Sequence, residues 1–284
     1  MDCREPNPIA LKFADAEAFV FDVDGTLILS DDPNAGSGGV QVLPGAAEIL
    51  QVLRAGGKRL AVFTNGSGQV PREIAAKLRL AGVDVADDEV LTPPVVAVEY
   101  IKRHHPGQAV LAFGTEGVLE PVRQAGIPLA SLEEAQDAGV VLIGADLDFT
   151  YAKLEAACRA VWAGAPLLVT SMAPFFASRR GRMPSPSGSI AAGIRHVTGV
   201  EPRVVGKPSP LAMEVLAQLF GTTAHRIAVI GDDLQLEIRM ARESGAFGVL
   251  VLSGSSRESD QEHVPPDYRP HLVVPVVGDL IAYV

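Results

Sequence analysis

The sequence predicts an α/β protein whose core is a largely parallel sheet with helices on both faces. Short apolar runs alternate with longer amphipathic segments along the whole chain. The apolar runs lack alternating polar residues, which is typical of strands buried on both faces of a parallel sheet. The amphipathic segments place apolar residues at the i, i+3 and i+4 spacing of one helix face. Strands that alternate with helices in this way predict the α/β class.

The individual elements follow from this pattern in chain order. The apolar runs predicted as buried strands are 18–21, 60–63, 140–143, 167–169, 227–230, 247–252 and 272–274. The segments predicted as helices are 46–53, 74–80, 154–162, 211–220 and 234–241. Ligands of such sheets bind beyond the carboxyl ends of the strands. The residues directly after each apolar run are therefore the first candidates for function.

Composition narrows the class of partner. The chain has 284 residues and a formal net charge of −10, from 24 Lys and Arg against 34 Asp and Glu. That length accommodates one large domain or two moderate ones. Nucleic-acid binding depends on basic residues that neutralise phosphates. The acidic balance therefore argues against nucleic acid as a partner.

Cysteine usage and the N-terminus bear on the compartment. The chain has 2 cysteines, Cys3 and Cys158, so neither a disulfide scaffold nor a Cys-rich zinc site is predicted. The first residues lack the apolar segment of a secretory signal. No apolar run reaches the roughly 18 residues that span a bilayer. We expect a cytoplasmic protein with no membrane partner.

The predicted strand ends carry acids, a hydroxyl, an amide and, before helix 211–220, a lysine. If these strand ends are neighbours, one crevice holds all of these groups. The residues concerned are Asp22, Asp24, Thr64, Asn65, Gly66, Lys207 and Asp232.

The acids predict a hard cation. While the backbone stays extended, Asp22 and Asp24 leave the same face about 6.6 Å apart. Two carboxylates that close repel, so that one protonates or a cation lies between them. With Asp232 they form an all-oxygen cluster, which suits Mg²⁺ better than zinc.

Mg²⁺ in turn implies phosphate chemistry. A carboxylate such as Asp22 can attack phosphorus and form an acyl phosphate. Asp24 is then placed to protonate the leaving oxygen and later to activate water. Thr64 and nearby main-chain N–H groups can hold phosphoryl oxygens, and Lys207 can offset their charge.

Each residue also has a plain structural explanation. An isolated Asp-x-Asp-Gly is commonly a turn after a strand. Thr64, Asp232 and Asp233 can each cap a helix, and an isolated lysine is usually solvated. The occurrence of the whole set at strand ends, in this order, favours the functional interpretation.

Four segments resemble the ordered motifs of haloacid dehalogenase-type phosphatases. The Thr-Asn pair, the Gly-Lys-Pro-Ser-Pro block and the long insertion between them resemble the NagD-like, class IIA branch of that family. These segments are FDVDGTL at 21–27, VFTNGSG at 62–68, VVGKPSP at 204–210 and IGDDLQLEI at 230–238.

The resemblance implies a role for each matched residue. Asp22 would be the nucleophile that forms an aspartyl phosphate, and Asp24 the general acid and base. The Asp22 carboxylate, the Asp24 main-chain carbonyl and the Asp232 carboxylate would bind Mg²⁺. The phosphoryl group would be contacted by Thr64, Asn65, Gly66 and Lys207.

The fourth motif and the insertion depart from the family pattern. Asp233 stands where a basic or amide residue is usual, and Glu237 replaces an aspartate. We expect Glu237 to remain an acid behind the metal site. The segment VTSMAPFF at 169–176 replaces a familiar substrate-contact segment, so substrate contacts are not transferred there.

The resemblance also implies the domain organisation. A Rossmann-like doubly wound core at 1–85 and 199–284 would carry an inserted α/β cap at 86–198, with strands within 109–114, 140–151 and 166–171. The cap would close over the site and select the leaving group.

Two segments stay open to more than one interpretation. Arg179, Arg180 and Arg182 would either bind an anionic substrate group or belong to a solvated flap. The Gly- and Asp-rich segment 28–43 is predicted to be a mobile rim.

The predicted function is Mg²⁺-dependent hydrolysis of a small phosphorylated metabolite. A phosphate-binding regulatory protein with weakened catalysis and a phosphotransferase are the alternatives. The substrate stays open among sugar phosphates, phosphoglycolate, nucleoside monophosphates and pyridoxal phosphate. The resemblance also leaves a homodimer open.

Overall fold

The structure, a computed structural model, describes residues 13–30, 40–178 and 181–284, and all side chains in these ranges except those of 176–178, 181 and 182. The chain divides into two compact units. The first contains the chain up to Thr64 with Ala75–Val90 and Met213–Val284, and the second contains Asn65–Ile74 and Leu91–Ala212. These units are drawn differently from the predicted core at 1–85 and 199–284 and cap at 86–198, and that division stays a prediction.

The described strands are numbered along the chain. They are β1 (Ala18–Phe21), β2 (Ile28–Ser30), β3 (Val40–Val42), β4 (Arg59–Phe63), β5 (Val90–Leu91), β6 (Val110–Phe113), β7 (Val140–Ile143), β8 (Leu167–Val169), β9 (Phe175–Ser178), β10 (Gly181–Pro184), β11 (Arg203–Val204), β12 (Ile227–Gly231), β13 (Phe247–Val251) and β14 (Leu272–Val274).

The helices are numbered in the same way. They are α1 (Ala46–Ala55), α2 (Pro71–Leu80), α3 (Pro93–His104), α4 (Glu116–Gln124), α5 (Tyr151–Trp162), α6 (Pro186–Thr198), α7 (Pro210–Leu219) and α8 (Arg239–Glu243). A π-helix, Leu234–Ile238, precedes α8, and short 3₁₀ helices include Val277–Tyr283.

A six-stranded sheet forms the centre of the first unit, in the order β14-β13-β12-β1-β4-β5. β1 pairs in parallel with β12 on one side and with β4 on the other. Every residue of β1, β12 and β13 is buried, which explains why these strands are continuously apolar. The predicted α/β class with a doubly wound parallel core is confirmed.

The second unit has its own parallel sheet, in the order β11-β8-β7-β6. Its core joins strand residues such as Leu111 and Val141 to the small residues Ala156, Ala157 and Cys158 of α5. Burial raises the pKa of the Cys158 thiol, which favours the uncharged form of a packing residue. The three strands predicted within the insertion are present.

Some elements differ from the prediction. The helices α3, α4 and α6 were not predicted, because residues of low helix propensity weaken their pattern: valines in α3, Pro121 within α4 and glycines in α6. α3 and α6 begin with proline, which is tolerated at the first helical position because its missing N–H has no partner there. The predicted helix 234–241 is a π-helix followed by α8.

The predicted rim 28–43 contains regular structure at both ends. β2 and β3 pair antiparallel, with Ile28 opposite Val42. Residues 31–39, between the two strands, lie outside the described residues, so the mobile rim stays a prediction. Within the described ranges no helix is long and apolar enough to cross a membrane.

The start of α1 lies against the 3₁₀ helix Val277–Tyr283. Gly45 has a φ of 75°, in the region that favours glycine. A Cβ added to Gly45 would lie 2.2 Å from the Cα of Gly278. Gly57 has a φ of 70° but has nothing within 4 Å of an added Cβ, so it is a matched control.

We therefore expect Gly45→Ala to destabilise the protein more than Gly57→Ala does. Gly57→Ala should cost about 1–2 kcal/mol for the left-handed backbone, and Gly45→Ala roughly 1–3 kcal/mol more for the clash. Denaturant unfolding measures both free energies. Equal losses would contradict the close contact between Gly45 and Gly278.

Glu17 accepts hydrogen bonds from the Thr222 hydroxyl at 2.6 Å and from the Arg226 guanidinium. These bonds, chiefly that of Thr222, hold the pKa of the Glu17 carboxyl below its usual 4.5. Because the folded pKa is lowered, this stabilisation is complete above the unfolded pKa and is lost as pH falls through the folded value.

Glu17→Gln should therefore reduce the loss of melting temperature between neutral pH and about pH 4. Glu214→Gln, which changes an exposed carboxylate on α7, is the control and should keep the wild-type pH dependence. The same pH dependence in wild type and Glu17→Gln would show that this carboxylate does not contribute.

Candidate active site

Predicted site residues directly follow three neighbouring strands of the first unit. Phe21 at the end of β1 pairs with Ile230 of β12 and with Val62 of β4. The next residue, Asp22, donates its main-chain N–H to the Ile230 carbonyl at 2.9 Å. Because parallel strands end at the same sheet edge, the structure brings Asp22, Thr64 and Asp232 to one place in the first unit.

The chain turns sharply after Asp22. The Val23 carbonyl accepts from the Leu27 N–H at 2.9 Å and the Ile28 N–H at 3.0 Å. The extended geometry expected to place Asp22 and Asp24 on one face therefore ends with β1. Gly25 has a φ of 88°, which explains the glycine in this turn.

Asp24 is held by the strand that follows the turn. Its Oδ1 accepts from the Ser30 hydroxyl at 2.6 Å. Ser30 lies at the end of β2, and Asp24 itself bridges to Ile28 at the start of that strand. The carboxylate predicted to act as acid and base is thus oriented by a residue that the sequence did not single out.

The Asp232 carboxylate lies directly against this turn. Asp232 is 7% exposed, and a Cβ added to Gly25 would lie 2.6 Å from its Oδ2. The Ser255 main-chain N–H donates to the same oxygen at 2.6 Å. Only glycine at position 25 leaves room for the carboxylate.

The altered residues of the fourth motif have clear local roles. Asp233 caps the π-helix, because its Oδ1 accepts from the Gln235 N–H at 2.6 Å and the Leu236 N–H at 3.2 Å. This confirms the capping role considered for Asp233.

Glu237 is accommodated by a glycine. Its Oε2 accepts from the Asp233 N–H at 3.1 Å, and a Cβ on Gly231 would lie 2.1 Å from its Cγ. The longer acid therefore fits because position 231 has no side chain.

These residues fit a divalent cation. Asp22 and Asp232 are 9% and 7% exposed and follow two paired strands, so two carboxylates are buried where uncompensated charge is costly. No group of three or more His, Cys, Asp or Glu side chains suited to a metal occurs among the residues that the structure describes. The predicted set needs two carboxylates, of Asp22 and Asp232, with the Asp24 carbonyl. These oxygen donors suit Mg²⁺.

The second unit brings together two other predicted residues, Asn65 and Lys207. The Asn65 Oδ1 accepts from the Lys207 main-chain N–H at 2.7 Å, and its Nδ2 donates to the Lys207 carbonyl at 2.9 Å. The Asn65 amide therefore holds the main chain at Lys207. Lys207 itself is buried, with 3% of its surface exposed. Contact of Asn65 or Gly66 with a phosphoryl group stays a prediction.

Gly206 and Thr170, which belong to segments quoted above but were not predicted as site residues, lie beside this pair. A Cβ on Gly206 would be 2.6 Å from the Asn65 Oδ1 and 2.4 Å from the Thr170 carbonyl. The Thr170 hydroxyl in turn accepts from the Ser67 hydroxyl at 3.4 Å. Thr170 directly follows β8, so the rule of strand ends points to it as well.

The arginines of the insertion lie outside this description. Arg179 and Arg180 are not among the described residues, and at Arg182 only the backbone, in β10, is described. Their proposed contact with an anionic group stays a prediction.

Comparison with known protein families identifies the class of protein that carries this sheet and these acids. Residues 19–128 match the family described as haloacid dehalogenase-like hydrolase, and residues 204–280 match a HAD-hydrolase-like family. The chain belongs to the haloacid dehalogenase-like hydrolases.

Named relatives resemble the chain over nearly its whole length. It is 28% identical over 254 residues to an acid sugar phosphatase from Staphylococcus aureus, covering 89% of this chain and 93% of the relative. Among solved structures it is similar to 4-nitrophenylphosphatase from Thermotoga maritima, with TM-score 0.83, 29% identity and coverage of 95% and 98%.

Two further solved structures are similar. NagD from Escherichia coli K-12 aligns with TM-score 0.80 and 26% identity over 93% of this chain and 98% of its own. A glycerol phosphate phosphatase from Mycobacterium tuberculosis, solved in complex with magnesium, aligns with TM-score 0.80 and 26% identity over 96% and 78%. The expected NagD-like, class IIA relationship is confirmed.

The Asn65 amide yields a prediction about stability. Asn65→Ala removes two hydrogen bonds to main-chain groups of Lys207, each worth about 1 kcal/mol. Ser67→Ala removes only the 3.4 Å bond to Thr170. We expect the free energy of unfolding to fall by about 2 kcal/mol for Asn65→Ala and clearly less for Ser67→Ala. Equal losses in denaturant unfolding would contradict the scaffolding role of Asn65.

Proposed function

We propose that this chain hydrolyses small phosphate monoesters with Mg²⁺, through an aspartyl phosphate on Asp22. The observation that carries the proposal is the meeting of Asp22, Thr64 and Asp232 at the ends of three adjacent strands, with both acids buried. The relatives named above are phosphatases, and the chain is a phosphoric monoester hydrolase.

The first step is assigned to Asp22 and Asp24. An Asp22 carboxylate oxygen attacks phosphorus, and the bond from phosphorus to the ester oxygen breaks. Protonated Asp24, oriented by the Ser30 hydroxyl, gives its proton to the leaving oxygen. The products of this step are an alcohol and the aspartyl phosphate.

The second step reverses the role of Asp24. As a carboxylate, it takes a proton from a water molecule that attacks phosphorus, and the bond between phosphorus and Asp22 breaks. Inorganic phosphate leaves, and both acids return to their starting states. Thr64 is proposed to hold a phosphoryl oxygen, and Lys207 to offset the phosphoryl charge.

The cation site is proposed to comprise Asp22, the Asp24 carbonyl and Asp232. A bound Mg²⁺ would neutralise phosphoryl charge and orient the group for in-line attack. Mg²⁺ prefers oxygen ligands, and all of these donors are oxygens. One structural neighbour was solved with magnesium.

A phosphorylated sugar or small polyol is the substrate class that we propose. Support comes from a relative named acid sugar phosphatase and a neighbour named glycerol phosphate phosphatase. A panel of sugar, polyol, nucleotide and pyridoxal phosphates distinguishes the substrate classes.

We further propose a cytoplasmic location and no nucleic-acid or membrane partner, and a homodimer stays open.

The central prediction concerns the nucleophile. With p-nitrophenyl phosphate and Mg²⁺, Asp22→Asn should reduce hydrolysis to background, because an amide cannot form the acyl phosphate. Asp24→Asn should reduce kcat by about 10²–10⁴-fold, the usual contribution of a general acid.

The matched control is Asp15→Asn, which removes an exposed carboxylate and should keep wild-type activity. Equal activity of wild type and Asp22→Asn would overturn the proposed mechanism. Metal and phosphate binding without hydrolysis of any panel member would favour the phosphate-binding alternative, and transfer to an added alcohol would favour the phosphotransferase.

A further inference from the structure

A loop that the proposed mechanism does not use lies against the Asp232 carboxylate. It comprises residues 253–256, Ser-Gly-Ser-Ser, and we call it the serine loop. β13 pairs in parallel with β12, with Leu250 opposite Gly231. The chain that leaves β13 therefore runs beside Asp232.

The serine loop binds Asp232 at both its side chain and its main chain. The Ser255 N–H donates to the Asp232 Oδ2 at 2.6 Å. The Asp232 carbonyl accepts from the Ser255 hydroxyl and the Ser256 N–H, each at 3.1 Å. One carboxylate oxygen and the main chain of Asp232 are thereby fixed by three donors from two consecutive residues.

The same loop also binds the first motif. The Ser253 hydroxyl donates to the Gly25 carbonyl at 2.7 Å. Gly25 follows Asp24, whose main-chain carbonyl is one of the proposed metal ligands. The serine loop thus joins the two segments that must come together to bind the cation.

Gly254 lies where no larger residue fits beside the carboxylate. An added Cβ would be 2.0 Å from the Asp232 Oδ2. A Cβ on Gly25 would reach the Gly254 Cα at 3.1 Å as well as the same Asp232 oxygen. The carboxylate is therefore packed between two glycines. A methyl group at position 254 would displace the end of the Asp232 side chain.

We propose that the serine loop positions the metal site by holding Asp232 and the Asp22-to-Gly25 turn in register for a divalent cation. The inference rests on the proposed function, because it takes Asp22, the Asp24 carbonyl and Asp232 as the ligands. Groups that orient metal ligands typically change metal affinity by about 10–100-fold when they are removed.

Mg²⁺ binding by calorimetry tests this proposal on the full chain without substrate. We expect Ser253→Ala to weaken Mg²⁺ binding by about tenfold and Gly254→Ala by at least that much. Ser253→Thr, which keeps the hydroxyl, should restore most of the affinity. Ser259→Ala, an exposed serine beyond the loop, should bind Mg²⁺ as wild type does.

Two further measurements separate positioning from simple stabilisation. The melting temperature of the metal-free protein should change little in Ser253→Ala, since the substitution removes only the partly buried hydrogen bond from Ser253 to the Gly25 carbonyl. In activity assays the Mg²⁺ concentration for half-maximal rate should rise in Ser253→Ala, with kcat nearly unchanged at saturating Mg²⁺.

The outcomes are distinguishable. Wild-type protein that binds no Mg²⁺ would overturn both this proposal and the proposed function. If wild type binds Mg²⁺ and Ser253→Ala and Gly254→Ala bind it equally well, the positioning role alone is wrong. If Gly254→Ala does not fold, the pair Ser253→Ala and Ser253→Thr decides, and loss without rescue by threonine counts against the proposal.

Discussion

The parallel pairing of β1 with β12 and with β4 is the constraint on which the candidate site of the first unit depends. The register places Phe21 beside both Ile230 and Val62, so that Asp22, Thr64 and Asp232 follow neighbouring strand ends although they are far apart in sequence. Every residue of β1 is buried, and the close packing of such a core disfavours other registers. The chemistry of the site is therefore a consequence of how the core packs.

Glycine is the second requirement of this arrangement. Gly25 and Gly254 lie against the Asp232 carboxylate, and Gly231 makes room for Glu237. Main-chain N–H groups reach the acids because the chain can approach closely at these positions: Ser255 donates to Asp232 and Asp233 donates to Glu237. Buried carboxylates without such donors would be costly. A glutamate at position 237, where the family pattern has an aspartate, is thus accommodated by the local structure.

Much of the fold was predictable because its signals are local. Strands such as 140–143 and 227–231 are uniformly apolar and buried, and they stand out by composition alone. The helices α3, α4 and α6 were missed because the valines of α3, the internal proline of α4 and the glycines of α6 weaken the helical signal. The strands β2 and β3 are short and depend on each other for their hydrogen bonds, so neither has a strong pattern of its own.

The chemical character of the site could be predicted from residue types and their order. Acids, a hydroxyl and a lysine near the ends of apolar runs can be identified from local sequence alone. Which atoms meet was decided by the tertiary structure. Asn65 binds the main chain at Lys207, Ser30 orients Asp24, and the serine loop holds Asp232. These hydrogen bonds join segments brought together only by packing. Serine and asparagine occur throughout protein surfaces, so no periodicity in the sequence distinguishes the ones that hold a site together.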